Sequence, residues 1–63
     1  MSVNTLKNSV IIAITQNLNN EGIEILPRET AKYLPAQWYE MSVNDAELYV
    51  YYNYQLAEAQ KDI

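Results

Sequence analysis

Arg28 and Lys32 lie one helical turn apart, and Tyr33 and Trp38 follow within six residues. Two cations held beside aromatic faces are the chemistry that grips a small, flat anion such as a nucleotide. Arg28, Lys32, Tyr33 and Trp38 are therefore the candidate anion pocket, set against the plainer reading of a solvated basic turn next to a core tryptophan. Other chemistry is sparse. Glu21 with Glu24, and Asp45 with Glu47, are carboxylate pairs of the sort glycosidases use, but they fall at expected helix ends, where capping and the helix dipole account for them. The chain has no histidine and no cysteine, so the usual proton shuttle and soft nucleophile are both missing. No catalytic residue is assigned, and the expectation is a protein that is not an enzyme. Asn44, Asp45 and Glu47 supply too few oxygens for a hard metal, zinc would lack nitrogen and sulfur ligands, and the single glycine, Gly22, cannot build a phosphate loop. Neither a metal nor a cofactor is expected.

The elements that would carry these residues are helical. Leu6, Val10, Ile14 and Leu18 recur every four positions, with Val3, Ile11 and Ala13 on the same side, and this spacing predicts an amphipathic helix over about residues 5–20. Its opposite side carries Asn8, Thr15 and Asn19, with Ile12 a misfit among them. Gly22 stands where a left-handed C-terminal cap is wanted. Residues 22–26 read as an extended link, because Ile23 and Ile25 alternate with Glu24 ahead of a proline, and an edge strand pairing between chains is one form it could take. Pro27 suits the first position of a short helical turn over 27–34 with Glu29 near its positive end. Pro35 interrupts that turn, and a second follows over 36–41. Ser42 to Asp45 reads as a serine N-cap with an acid three residues on, opening a helix over 43–62 that closes on Lys61. The fold class is all-α: a small bundle of a long N-terminal helix, a short Pro-interrupted middle helix and a long C-terminal helix in one domain over 1–63. Sixty-three residues with no disulfide make a small core, so completion by oligomerisation is expected.

The last helix is apolar on two sides. At 100° per residue, Leu48, Tyr49, Tyr52, Leu56, Ala59 and Ile63 form one broad stripe, the expected core face. Ala46, Val50, Tyr54 and Ala57 fall roughly opposite, with Tyr51 at the margin. A chain this short has too little mass to cover both sides, so Ala46, Val50, Tyr51, Tyr54 and Ala57 are the expected interface with a partner or a second copy. Tyrosine suits such a position, since its ring buries while its hydroxyl reaches the polar rim.

Charge narrows the partner. The net charge is −4, and residues 21–63 hold all eight acids against Arg28, Lys32 and Lys61, a local balance of −5. A field of that sign repels phosphate backbones, so nucleic acid is not expected as a partner, and neither helix available to a helix-turn-helix motif carries the basic residues it needs. It favours a protein with a basic surface. Val10–Ile14 is too short for a membrane span and has no basic leader before it; no membrane partner is expected, and the default setting is soluble and cytoplasmic. Seven asparagines beside one glycine and no phenylalanine are a usage found in small mobile-element and phage proteins, some of which antagonise host defences. The leading expectation is a small acidic interaction protein that self-associates and binds a macromolecule, inhibition being one form that binding could take. The alternative is an oligomer that sequesters a small nucleotide-like anion.

Overall fold

The computed structural model describes residues 2–61, of which helix makes up 78%. Three α-helices, α1 (Val3–Asn20), α2 (Pro27–Tyr33) and α3 (Val43–Lys61), each pack against the other two, and a 3₁₀ turn, Trp38–Glu40, joins α2 to α3. Among the described residues there is no strand. The expected long–short–long order of helices is present. The 62nd residue and the stripe position Ile63 lie outside the described residues.

Local chemistry fixes the helix ends. Helix α1 starts at Val3, two residues before the hydrophobic periodicity suggests, because the Ser2 hydroxyl accepts the Thr5 N–H at 3.2 Å. It ends at Asn20, and two residues on the chain reverses at Gly22, whose φ of +90° is a conformation that glycine adopts without strain. The Ile23 N–H then reaches the Leu18 carbonyl and the Gly22 N–H the Asn19 carbonyl, both at 3.0 Å, the paired bonds of a Schellman cap. At α2, Pro27 takes the first helical position, and the Leu26 side chain offers no acceptor. The Glu29 carboxylate makes the cap from the other direction, receiving the Leu26 N–H at 3.1 Å. Leu34 is extended ahead of Pro35. The turn expected over 36–41 shrinks to Trp38–Glu40, held by i→i+3 bonds such as the 2.8 Å one from the Glu40 N–H to the Gln37 carbonyl. The Ser42 hydroxyl accepts the Asp45 N–H at 3.1 Å and opens α3.

The link between α1 and α2 does not pair as a strand within the chain. It turns Ile25 into the core and leaves Glu24 and Leu26 outside. Its carbonyls are met by side chains: the Asn19 amide donates to the Ile23 carbonyl at 2.8 Å and to that of Ile25 at 3.2 Å, and the Tyr54 hydroxyl donates to that of Glu24 at 2.7 Å. Satisfied in this way, a backbone needs no neighbouring strand.

Ile14 and Leu18 of α1, Ile25 of the link, and Ala46 and Val50 of α3 form the core, with Val10, Ile23, Tyr33, Leu34, Met41, Tyr51 and Tyr54 packed around it. Val3, Leu6 and Ala13, expected on the buried side of α1, are exposed. Thr15, expected on the polar side, is buried. Its hydroxyl donates to the Ile11 carbonyl at 2.7 Å and stands 2.6 Å from the hydroxyl of Thr30, which is also fully buried. The Thr30 hydroxyl also lies 3.4 Å from the Leu26 carbonyl, so two hydroxyl protons are shared among the two threonine oxygens and two carbonyls, and neither oxygen is left unpaired. A two-threonine contact of this kind clips α2 onto α1 where periodicity alone would have put a solvated residue.

Candidate binding surface

The orientation of α3 decides which residues are free to bind. Ala46 is 1% exposed and Val50 0%, so both belong to the core. Tyr51, Tyr54 and Ala57 continue the same face, half-buried. The interface expected at Ala46, Val50, Tyr51, Tyr54 and Ala57 is thus the face that α3 turns toward its own chain. The face expected in the core carries Leu48 at 64% exposure, Tyr49 at 55%, Tyr52 at 67% and Leu56 at 50%. The buried and exposed faces are the reverse of those expected.

The physical reason is closeness. Ala46 and Val50 are small, and a small-residue row lets α3 approach Ile14 and Leu18 to within packing distance. The larger tyrosines on that face sit one and two turns further along. Tyr54 donates to the Glu24 carbonyl, and the Tyr51 hydroxyl accepts from the Gln55 amide at 2.7 Å. Asn17 of α1 adds a bond to the Glu47 carboxylate of α3 at 3.0 Å. Polar partners for this face therefore exist on α1 and the link. A helix turned the other way would bury the bulk of Leu48, Tyr49, Tyr52 and Leu56 but break the two bonds that cross between elements, Tyr54 to the Glu24 carbonyl and Asn17 to the Glu47 carboxylate.

Leu48, Tyr49, Tyr52, Asn53 and Leu56 line a shallow apolar groove that runs along α3 itself, with no other element contributing to it. A second depression, beside Gly22, Ile23 and Glu24, is closed by Tyr51, Tyr54, Gln55 and Glu58 and is acidic. Burial of the phenol, with Glu58 and Glu29 adding negative charge against a smaller opposing effect of Lys61, raises Tyr54 above its ordinary value of 10.0. The Lys61 ammonium is itself held above its ordinary 10.5 by its bond to the Glu58 carboxylate at 3.2 Å. A third depression is lined by Leu6, Val10, Trp38, Tyr39, Met41, Val43 and Ala46.

The candidate anion pocket is not gathered at any of the three. Lys32 stands over the ring of Tyr33, its ammonium 5.6 Å from the centroid, and Arg28 is exposed on the same short helix. Trp38, by contrast, is buried, lines the third depression with α1 residues, and meets Tyr39 edge-on at 5.8 Å. Pro35 is what separates them: the chain turns after it, and the indole follows apolar surface toward α1.

The chain matches no family model, no curated protein and no solved structure. Among the described residues no group of acidic side chains gathers as metal ligands would, and no helix is long and apolar enough to cross a membrane. Leu48, Tyr49, Tyr52 and Leu56 are the functional candidates that sequence reasoning placed in the core. The signal that could have located them was the alanine and valine opposite, since a small-residue row marks the side of close approach.

Proposed function

We propose that this protein is a non-enzymatic binding protein whose working surface is the outer face of α3. The supporting observation is the run of Leu48, Tyr49, Tyr52 and Leu56, all half or more exposed on one helix face. Isolated exposed apolar residues are ordinary, but four contiguous ones form a patch of a size that marks interaction sites. Two are tyrosines, which lose few rotamers when they are buried at an interface and keep a hydroxyl for its rim. The chain's charge of −4 gives any macromolecular partner a basic complement and works against nucleic acid. Inhibition by covering an apolar site that has a basic rim is the mode of action that this combination fits.

The test is affinity purification from the native host with the tagged chain and its Tyr52→Glu variant in parallel. Proteins retained by the first and lost by the second support the reading. Equal retention by both overturns it, and so does retention of nothing by a chain that is also monomeric.

A further inference from the structure

We propose that α3 pairs antiparallel with α3 of a second copy, with Tyr49, Tyr52, Leu56 and Ala59 as the seam. The inference rests on the reading of this face as a binding surface and names its occupant. Those four residues are exposed and spaced three, four and three apart, which is the a/d spacing by which two helices interlock their side chains. Leu48 flanks the seam. The four large apolar side chains of this face expose on the order of 500 Å² between them. A stable interface needs about 800 Å² from each partner, so these side chains supply the larger part of it, and the seam residue Ala59 with the exposed flanks Gln55 and Gln60 add to it.

Charge selects the partner and its direction. Every exposed residue on this face from Leu48 to Gln60 is neutral, while the helix's other acids are turned away: Glu47 to Asn17, and Glu58 to the groove beside Gly22. Two chains of charge −4 can meet with least repulsion where neither carries any. Asp45 is the exception, at the N-terminal end of the stripe. A parallel pair would set Asp45 against Asp45 of the partner subunit and stack tyrosine on tyrosine. In the antiparallel register Tyr52 meets Leu56 of the partner subunit and Tyr49 meets Ala59 of the partner subunit, so each large ring faces a smaller side chain. The two Asp45 carboxylates are then about 27 Å apart along the pair, well beyond the roughly 8 Å over which charge acts at physiological salt.

Sedimentation equilibrium of the full chain tests the pair. The expected result is a concentration-dependent mass of twice 7.3 kDa, weakened at least about tenfold by Tyr52→Glu, which would desolvate a charge in the seam. That variant is expected to keep the helical circular-dichroism spectrum of the parent, because Tyr52 is exposed within the chain. Direction is read with introduced cysteines, since the chain has none of its own. Tyr49→Cys and Ala59→Cys chains should form a disulfide when mixed and little alone, because like positions lie about 15 Å apart in the antiparallel pair. A 7.3 kDa species persisting to ~1 mM overturns the pair, and efficient linking of either variant to itself overturns the direction. A monomer that still retains a host protein through Tyr52 removes the second copy and leaves the binding reading intact; a monomer that retains nothing removes both.

Discussion

Tyr52 and Tyr54 stand two residues apart, and the fold treats them oppositely. Tyr52 is two-thirds exposed with no polar partner among the bonds of the described residues, whereas Tyr54 is half-buried and its hydroxyl donates to the Glu24 carbonyl at 2.7 Å. The second arrangement is pH-sensitive. Because burial and the nearby carboxylates raise the Tyr54 phenol in the folded chain, folding favours its protonated form. The stability this contributes is whole below the ordinary value of 10.0 and is lost as pH rises through the higher folded value. Tyr54→Phe deletes both the bond and the titration. At pH 7 it is expected to destabilise by about 1 kcal/mol, and the gap to the parent should close as pH climbs past 10. Urea melts from pH 7 to 11 measure it, and a gap constant across that range would show that the hydroxyl plays no such part.

At the scale of elements, stability should depend on the caps. Gly22 ends α1 at φ +90° with open space around the position a β-carbon would take, so Gly22→Ala meets no clash and costs only the backbone strain, about 1–2 kcal/mol. Ser42→Ala removes the acceptor for the Asp45 N–H and should cost about 1 kcal/mol. Thermal melts of each variant check both, and a Gly22→Ala chain as stable as the parent would mean that the link can reset its backbone. These same caps were legible in the sequence because they are local: a serine three residues before an acid, a glycine after the last periodic leucine. The Ser2 cap was not read, because it lies upstream of the apolar spacing that defined the helix, and this is why α1 begins earlier than that spacing implies. The buried face of α3 was not. Both faces are apolar, so hydrophobicity does not orient the helix, and the choice falls to non-local terms: the close approach that Ala46 and Val50 permit, and the hydroxyl of Tyr54 finding a carbonyl thirty residues away. Thr15 illustrates the same limit, because its burial depends on Thr30 across the fold.

At the scale of the whole molecule, a small core lies beneath a long helix, in a body of 42 × 22 × 18 Å that leaves one apolar face uncovered. The surrounding field is acidic, yet that face is neutral from Leu48 to Gln60. An assembly formed there should respond to salt in a direction that identifies it. Ion-paired interfaces weaken as salt screens their attraction, but here the contact is apolar and the long-range force between two chains of −4 is repulsion. Raising salt from ~0.01 M, where the Debye length is about 30 Å, to ~1 M, where it is about 3 Å, should therefore tighten the pair. Salts that strengthen apolar burial, such as sulfate, should tighten it more than chloride does at equal ionic strength. Sedimentation across the two salt series measures both effects. Dissociation on adding salt would mean that charged residues hold the chains together, and would move the interface from the outer face of α3 to the part of the surface where Glu24, Glu58 and the few basic side chains lie.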